Sequence, residues 1–173
     1  MVSLPSILRD IEQTPVSVEF VRARLPPKCR VVEYPSLKGK HRSQVFKDTE
    51  ALVVLIPKKG ESLGHFIVLV PGRKSIEYFS SLGNSPWSEL EKLHESRDIF
   101  EKLLGKNFNY NQKQLQGGAY TINSCAVWVI LRSYFRKYKI REYQSLFSRR
   151  ITLESPDDLA SIMAVALWQD VAS

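Results

Sequence analysis

Asn123-Ser124-Cys125-Ala126-Val127-Trp128-Val129 is the stretch on which the reading of this chain turns. It sets a cysteine between a polar loop holding Gly117-Gly118 and an unbroken apolar run, Ala126 to Leu131. Such a run predicts a buried helix from Cys125 to about Tyr138, with the cysteine in its first turn. Unpaired backbone N–H groups and the positive end of the helix dipole there favour a thiolate over a thiol. Two readings of Cys125 follow: a nucleophile, or a small side chain packed in the core. A nucleophile needs a base within reach. His65 is the best placed histidine, at the start of the apolar run that ends at Val70.

Working outward, Ala51 to Ile56, His65 to Val70 and Ser75 to Ser80 read as strands. Pro57, Gly60 and Pro71-Gly72 mark the turns between them. Turns this short join antiparallel neighbours, so a meander is expected. Cys29 to Tyr34 and Asn107 to Tyr110 read as further strands, and Pro35 to Ser43 as a basic loop. Helices are expected over residues 3–12, Val16 to Leu25, Pro86 to Leu104 and Arg141 to Phe147. In the third of these Arg97 falls on the apolar stripe and Ile99 off it, which predicts a break near Ser96. Ser155-Pro156-Asp157-Asp158 supplies an N-cap, a first-turn proline and two acids, opening a last helix to about Trp168. Helices, strands, then helices make an α+β layout in a single domain over residues 1–173.

The bulk properties exclude several classes. At 173 residues the chain can bury a sizeable core. No stretch approaches the roughly 20 apolar residues of a membrane span, and the first residues do not read as a secretory signal. Two cysteines are too few for a disulfide framework. Scattered His41, His65 and His94 give no metal-ligand spacing, and no phosphate-binding loop is present, so no cofactor is expected. The net charge of +7 suits either a basic soluble surface or a polyanion partner.

Beside His65 and Cys125, Gln112, Gln114 and Gln116 precede the cysteine, where a side-chain amide could aim at an oxyanion. Gly64-His65-Phe66-Ile67-Val68-Leu69-Val70, then Ile76-Glu77-Tyr78-Phe79-Ser80-Ser81-Leu82-Gly83, then Gln116, then Asn123 to Val129 stand in order. These blocks resemble the adenain-like (clan CE) cysteine proteases over roughly residues 50–140. The clan includes SUMO-specific proteases and the maturation proteases of adenoviruses, virophages and Polinton-type elements.

The resemblance implies a papain-like α+β domain of the adenain type. In it a mostly antiparallel sheet is flanked by helices, and a central helix carries the cysteine. It implies Cys125 as nucleophile, His65 as base and then acid, Gln116 in the oxyanion hole, and Phe66 walling the substrate cleft. The family's acid falls on Ser80, which cannot supply a charge. Glu77 is the nearest carboxylate, but strand alternation turns it to the opposite face. Gln114 is the alternative to Gln116, because the loop to Cys125 is long. Ala126 stands where the family has glycine.

The activity so implied is a thiol endopeptidase that cuts near small pairs such as Gly-Gly. It would mature viral capsid or scaffold precursors in the virion, or in the host-cell cytoplasm or viral factory, as a monomer without a membrane partner. Two other readings stand beside it: a protease removing SUMO or ubiquitin-like modifiers, and a silent basic binding module, which the loss of the acid at Ser80 favours. Arg132, Arg136, Lys137, Lys139 and Arg141, interleaved with aromatics, suit non-specific DNA binding or an amphipathic helix with snorkelling cations. Cys29 reads as an idle thiol and Gly117-Gly118 as loop flexibility. Trp87 and Trp168 read as packing residues.

Overall fold

The computed structural model describes residues 16–61, 64–117, 124–148 and 155–171, with side chains to 167. The helix expected over residues 3–12, Gly118, Asn123 and the side chain of Trp168 lie outside the described residues. The described elements in chain order are α1 (Val18–Arg22), β1 (Cys29–Glu33), a 3-10 turn (Tyr34–Leu37), α2 (Arg42–Val45), β2 (Ala51–Pro57), β3 (Gly64–Pro71) and β4 (Ile76–Phe79). They continue with α3 (Pro86–Lys92), α4 (Asp98–Leu104), β5 (Phe108–Tyr110), α5 (Ser124–Tyr134), α6 (Ile140–Leu146) and α7 (Pro156–Val171).

The strands form a five-stranded sheet in sequence order, β1 to β5. The expected meander is there: β2 pairs antiparallel with β3, and β3 with β4. The outer pairs are parallel, β1 with β2 and β4 with β5, so the sheet is mixed rather than mostly antiparallel. The reason is connection length. Residues 34–50 and 80–107 are long enough to cross over and bring the chain back in the same direction. The region read as a basic loop, Pro35 to Ser43, is part of such a crossover and holds the 3-10 turn and the start of α2.

Both faces of the sheet are covered. Val53, Phe66, Val68 and Phe79 pack on one side with Ala126 to Leu131 of α5, Tyr143 of α6 and Ala160 of α7. Val54, Ile67, Leu69 and Tyr78 pack on the other with Leu90, Phe100 and Leu104 of α3 and α4. A central strand buried on both faces needs a near-continuous apolar run, as β2 has throughout and β3 has from Phe66 onward.

The long helix expected from Pro86 breaks where the stripe faltered. After α3, His94 takes a left-handed φ of 57°. Its N–H bonds Glu91 O at 3.2 Å while Glu95 N–H bonds Leu90 O at 2.9 Å. That pair of bonds is a Schellman stop. The central helix also ends early, at Tyr134 rather than Tyr138. Arg132 reaches forward and donates to Phe135 O and Tyr138 O, satisfying carbonyls that a continuing helix would have used. The cap read at Ser155 is made: Asp158 N–H bonds Ser155 Oγ at 3.2 Å, and Ser155 N–H bonds Asp158 Oδ2 at 3.0 Å.

Candidate active site

His65 is near the start of β3, paired with Ile56. Gly64 before it lets the strands close there, since a Cβ at position 64 would lie 2.6 Å from Ile56 O. Alternation along β3 sends Phe66 and Val68 to the α5 face and His65, Ile67 and Leu69 to the α3 side. His65 is buried at the sheet's end, and its Nε2 lies 3.1 Å from Ser80 Oγ. Ser80 follows β4 and is fully buried. Its hydroxyl donates to Glu89 Oε2 at 2.9 Å, and Glu89 Oε1 is 3.8 Å from His65 Nε2.

Proton counting fixes the direction of this chain. A serine hydroxyl has one proton. Ser80 gives it to Glu89, so it accepts from His65 Nε2–H. The neutral imidazole then carries its lone pair on Nδ1, the nitrogen left for Cys125.

Cys125 sits in the first turn of α5, half-buried. Burial would push its thiol up, but the hydrogen bond and charge of His65 outweigh it, helped by the backbone N–H groups of Phe66 and Ala126. The thiol is therefore held below its ordinary value of 9.0. Burial would likewise lower His65. The hydrogen bond to Cys125 and the charges of Glu89 and the thiolate overcome that and hold the imidazole above 6.5. The two shifts together favour a thiolate–imidazolium pair. Cys29 is the contrast: burial dominates and pushes its thiol up, as suits an idle side chain, and its Sγ lies 4.0 Å from Ser133 O.

Ser81 carries the next connection. Its Oγ donates to Gln116 Oε1 at 2.7 Å, and its carbonyl accepts from the N–H groups of Leu115 (2.8 Å) and Gln116 (3.0 Å). The bond to Oε1 turns the NH2 end of the Gln116 amide away from Ser81. Gln114 is exposed and spends its amide on Gln116 O at 2.9 Å, so it braces Gln116 rather than replacing it. Asn111, buried, accepts from Ser80 N–H at 2.9 Å and donates to Ser80 O. Gly83 turns the chain with φ +71°, where a Cβ would lie 2.7 Å from Gln114 N. Asp157 in the first turn of α7 accepts from Gly117 N–H and, at 2.7 Å, from the Trp128 indole, tying the loop before the cysteine to α5.

The structure thus brings His65, Ser80 and Cys125 together and links Gln116 to them through Ser81. Glu77 is not part of the set. It pairs with buried Arg132 on the α5 face. Phe66, expected to wall a cleft, is buried in the core. Trp87 packs edge-on against Phe108 as a packing residue.

The basic run is depleted by structural pairs: Arg132 holds Glu77 and Arg136 holds Glu50 at 2.7 Å, while Lys137, Lys139 and Arg141 stay exposed. Sequence reading missed Glu89. Its signal was present: Pro86, Glu89, Leu90 and Leu93 fall on one helical face, and all are buried. A carboxylate on that face must meet a polar partner inside.

No family model matches the chain, and no curated protein matches it. Solved structures of the SUMO protease Ulp1 do. One, with the catalytic cysteine oxidised to a sulfinic acid, is similar at 13% identity and a TM-score of 0.46, over 97% of this chain and 84% of that one. A second, oxidised to a sulfonic acid, is similar at 12% and 0.44, over 98% and 94%. The third, the C-terminal Ulp1 protease domain in complex with Smt3, the yeast orthologue of SUMO, is similar at 14% and 0.41, over 90% and 76%.

Proposed function

We propose that the chain is a thiol peptidase. The observation that carries this reading is the orientation of His65, whose Nε2–H is committed to Ser80 while the other nitrogen serves a thiol held below its ordinary value. In this reading the Cys125 thiolate attacks a carbonyl carbon and the Gln116 amide donates to the oxygen that becomes negative. The imidazolium of His65 gives its proton to the leaving amine. It then takes a proton from the water that hydrolyses the thioester, and Cys125 is released.

The sequence blocks extend the proposal to substrate class. They support cleavage next to small residues such as Gly-Gly, and maturation of viral capsid or scaffold precursors in the virion or infected cell. Removal of a ubiquitin-like modifier is the second reading, supported by the SUMO-specific members of the same clan. The decisive experiment treats the full chain with a Gly-Gly vinyl sulfone, beside Cys125→Ala and His65→Ala. Labelling that depends on both residues is expected. A folded wild type that takes no label would sink the peptidase reading. Cleavage of a SUMO or ubiquitin conjugate with none of a capsid precursor would move the substrate to the second reading.

A further inference from the structure

Glu89 has no assigned task, and its position is unusual. It lies on the buried stripe of α3, next to Leu90, and is 2% exposed. The helix that carries it is set by Ser85, whose Oγ accepts from Ser88 N–H at 3.2 Å, with Pro86 in the first turn. Among the described residues its carboxylate is in ion-pair range of His65 and of no lysine or arginine. Lys92, one turn on, reaches Asn84 instead at 2.9 Å. A carboxylate so buried is costly unless hydrogen bonds and an opposite charge compensate it. The Ser80 hydroxyl supplies the hydrogen bond, and the opposite charge is the one His65 acquires from the thiol.

We propose that Glu89 is the positioning acid of this site and acts on His65 through the hydroxyl of Ser80. The group in contact with the imidazole, Ser80, is a hydroxyl with no charge of its own, and the charge comes from the neighbouring helix instead. The path runs from Glu89 Oε2 to Ser80 O–H at 2.9 Å, and from Ser80 Oγ to His65 Nε2–H at 3.1 Å. It holds the tautomer whose Nδ1 accepts the Cys125 proton. When that proton arrives, the imidazolium charge has Glu89 Oε1 at 3.8 Å. Glu89 touches neither thiol nor substrate, so its part is to place His65 and favour its charged form. The titratable groups facing the pair are Cys125 from α5, Lys92 from α3, and Tyr78 from β4, whose buried hydroxyl feels the Glu89 charge.

The catalytic consequence rests on the peptidase reading, but the titration does not. The test follows alkylation of Cys125 by iodoacetamide against pH, mapped by mass spectrometry so that Cys29 is read separately, together with the NMR titration of His65. Glu89→Gln should lower the His65 midpoint and raise the onset of Cys125 alkylation, each by about one pH unit. Ser80→Ala, which leaves the carboxylate in place and removes only the relay, should do the same, and it serves if Glu89→Gln does not fold. Ser80→Asp in the Glu89→Gln background should restore both midpoints, because it puts an acid directly on Nε2. With a Gly-Gly peptide substrate, kcat/KM should fall about 10–100-fold in either single variant. That is less than the roughly 10⁴ of a serine triad, because a thiolate forms more readily than an alkoxide.

A folded Glu89→Gln protein with unshifted midpoints would overturn the relay, whether or not the wild type cuts peptides. Midpoints that shift in Glu89→Gln while the wild type cleaves nothing would leave the relay standing and remove the peptidase reading.

Discussion

Two buried charge clusters meet the end of the sheet at β4, and they are built to opposite ends. On the α5 face Glu77 holds Arg132 through Nε at 2.9 Å and Nη2 at 2.7 Å. The same guanidinium donates to Phe135 O and Tyr138 O and lies over the Tyr143 ring. Every interaction there ends on a permanent charge, a carbonyl or a ring. On the α3 side Glu89, Ser80 and His65 end on a thiol, whose proton can leave. A closed cluster fixes the fold. An open one can do chemistry, because its charge is made and unmade as a proton moves. Strand alternation separates the two, since residues 77 and 80 face opposite sides.

The contrast can be broken in order of expected effect. Cys125→Ala and His65→Ala should each remove about 10³-fold or more of peptide cleavage. Cys125→Ala should leave thermal unfolding nearly unchanged, whereas His65→Ala takes away the charge facing buried Glu89 and should lower the unfolding temperature as well. Initial rates beside calorimetry on the same samples would check this. Arg132→Ala should do the reverse. It strands Glu77 and frees two carbonyls, for a loss of about 3–5 kcal/mol in urea unfolding. Its folded fraction should still alkylate at Cys125 with the wild-type pH profile; a shifted profile would mean that the clusters are coupled.

Gln116→Ala should lower kcat by about 10²–10³ with little change in KM, if its amide meets the oxyanion. An equal rise in KM would make it a substrate-binding residue instead.

Smaller still is the pH dependence of stability. His65 is held above 6.5, so its contribution is fully present below 6.5 and is lost as pH rises through the raised value. Each unit by which Glu89→Gln lowers that value is worth about 1.4 kcal/mol. With Cys125→Ala in both proteins, so that the thiol's opposite shift is absent, the stability gap that Glu89→Gln opens should therefore be wider at about pH 6 than at about pH 9 by urea titration. A gap of constant width would separate Glu89 from the imidazole charge. The smallest effect is expected on the surface. Replacing Lys137, Lys139 and Arg141 by Gln should reduce the salt slope of any DNA binding by about one for each phosphate no longer neutralised, measured by fluorescence anisotropy.

Much of this arrangement could be read from local pattern. The meander from Ala51 to Phe79 announces itself by apolar runs and short turns. The stop after α3 shows as a fault in the stripe at Arg97 and Ile99. Cys125 at the head of an apolar helix, with His65 on a strand, already proposes a pair. What stayed hidden depends on distance in sequence. Nothing local tells β1 to lie parallel to β2, because the crossover through residues 34–50 decides it. Glu77 looked like the nearest acid until Arg132, remote in sequence, claimed it. Glu89 was hidden for the same reason. Its place on a buried stripe is visible, but that the stripe lies against Ser80 follows only from how α3 folds back on the sheet.

The adjacency of Ser80 and Ser81 has a consequence for how such a site can change. One side chain orients the base and the next orients the amide, and Asn111 grips the backbone of Ser80 by both its N–H and its carbonyl. A single dipeptide therefore acts as a shared fulcrum. Movement at this point would be felt by the His65 imidazole and the Gln116 amide at once, so in the peptidase reading proton transfer and oxyanion binding cannot be tuned independently. Substitutions around Asn111 would be strongly epistatic with those at His65 and Gln116. A lineage that altered this turn would have to re-fit the placement of both His65 and Gln116 in the same step.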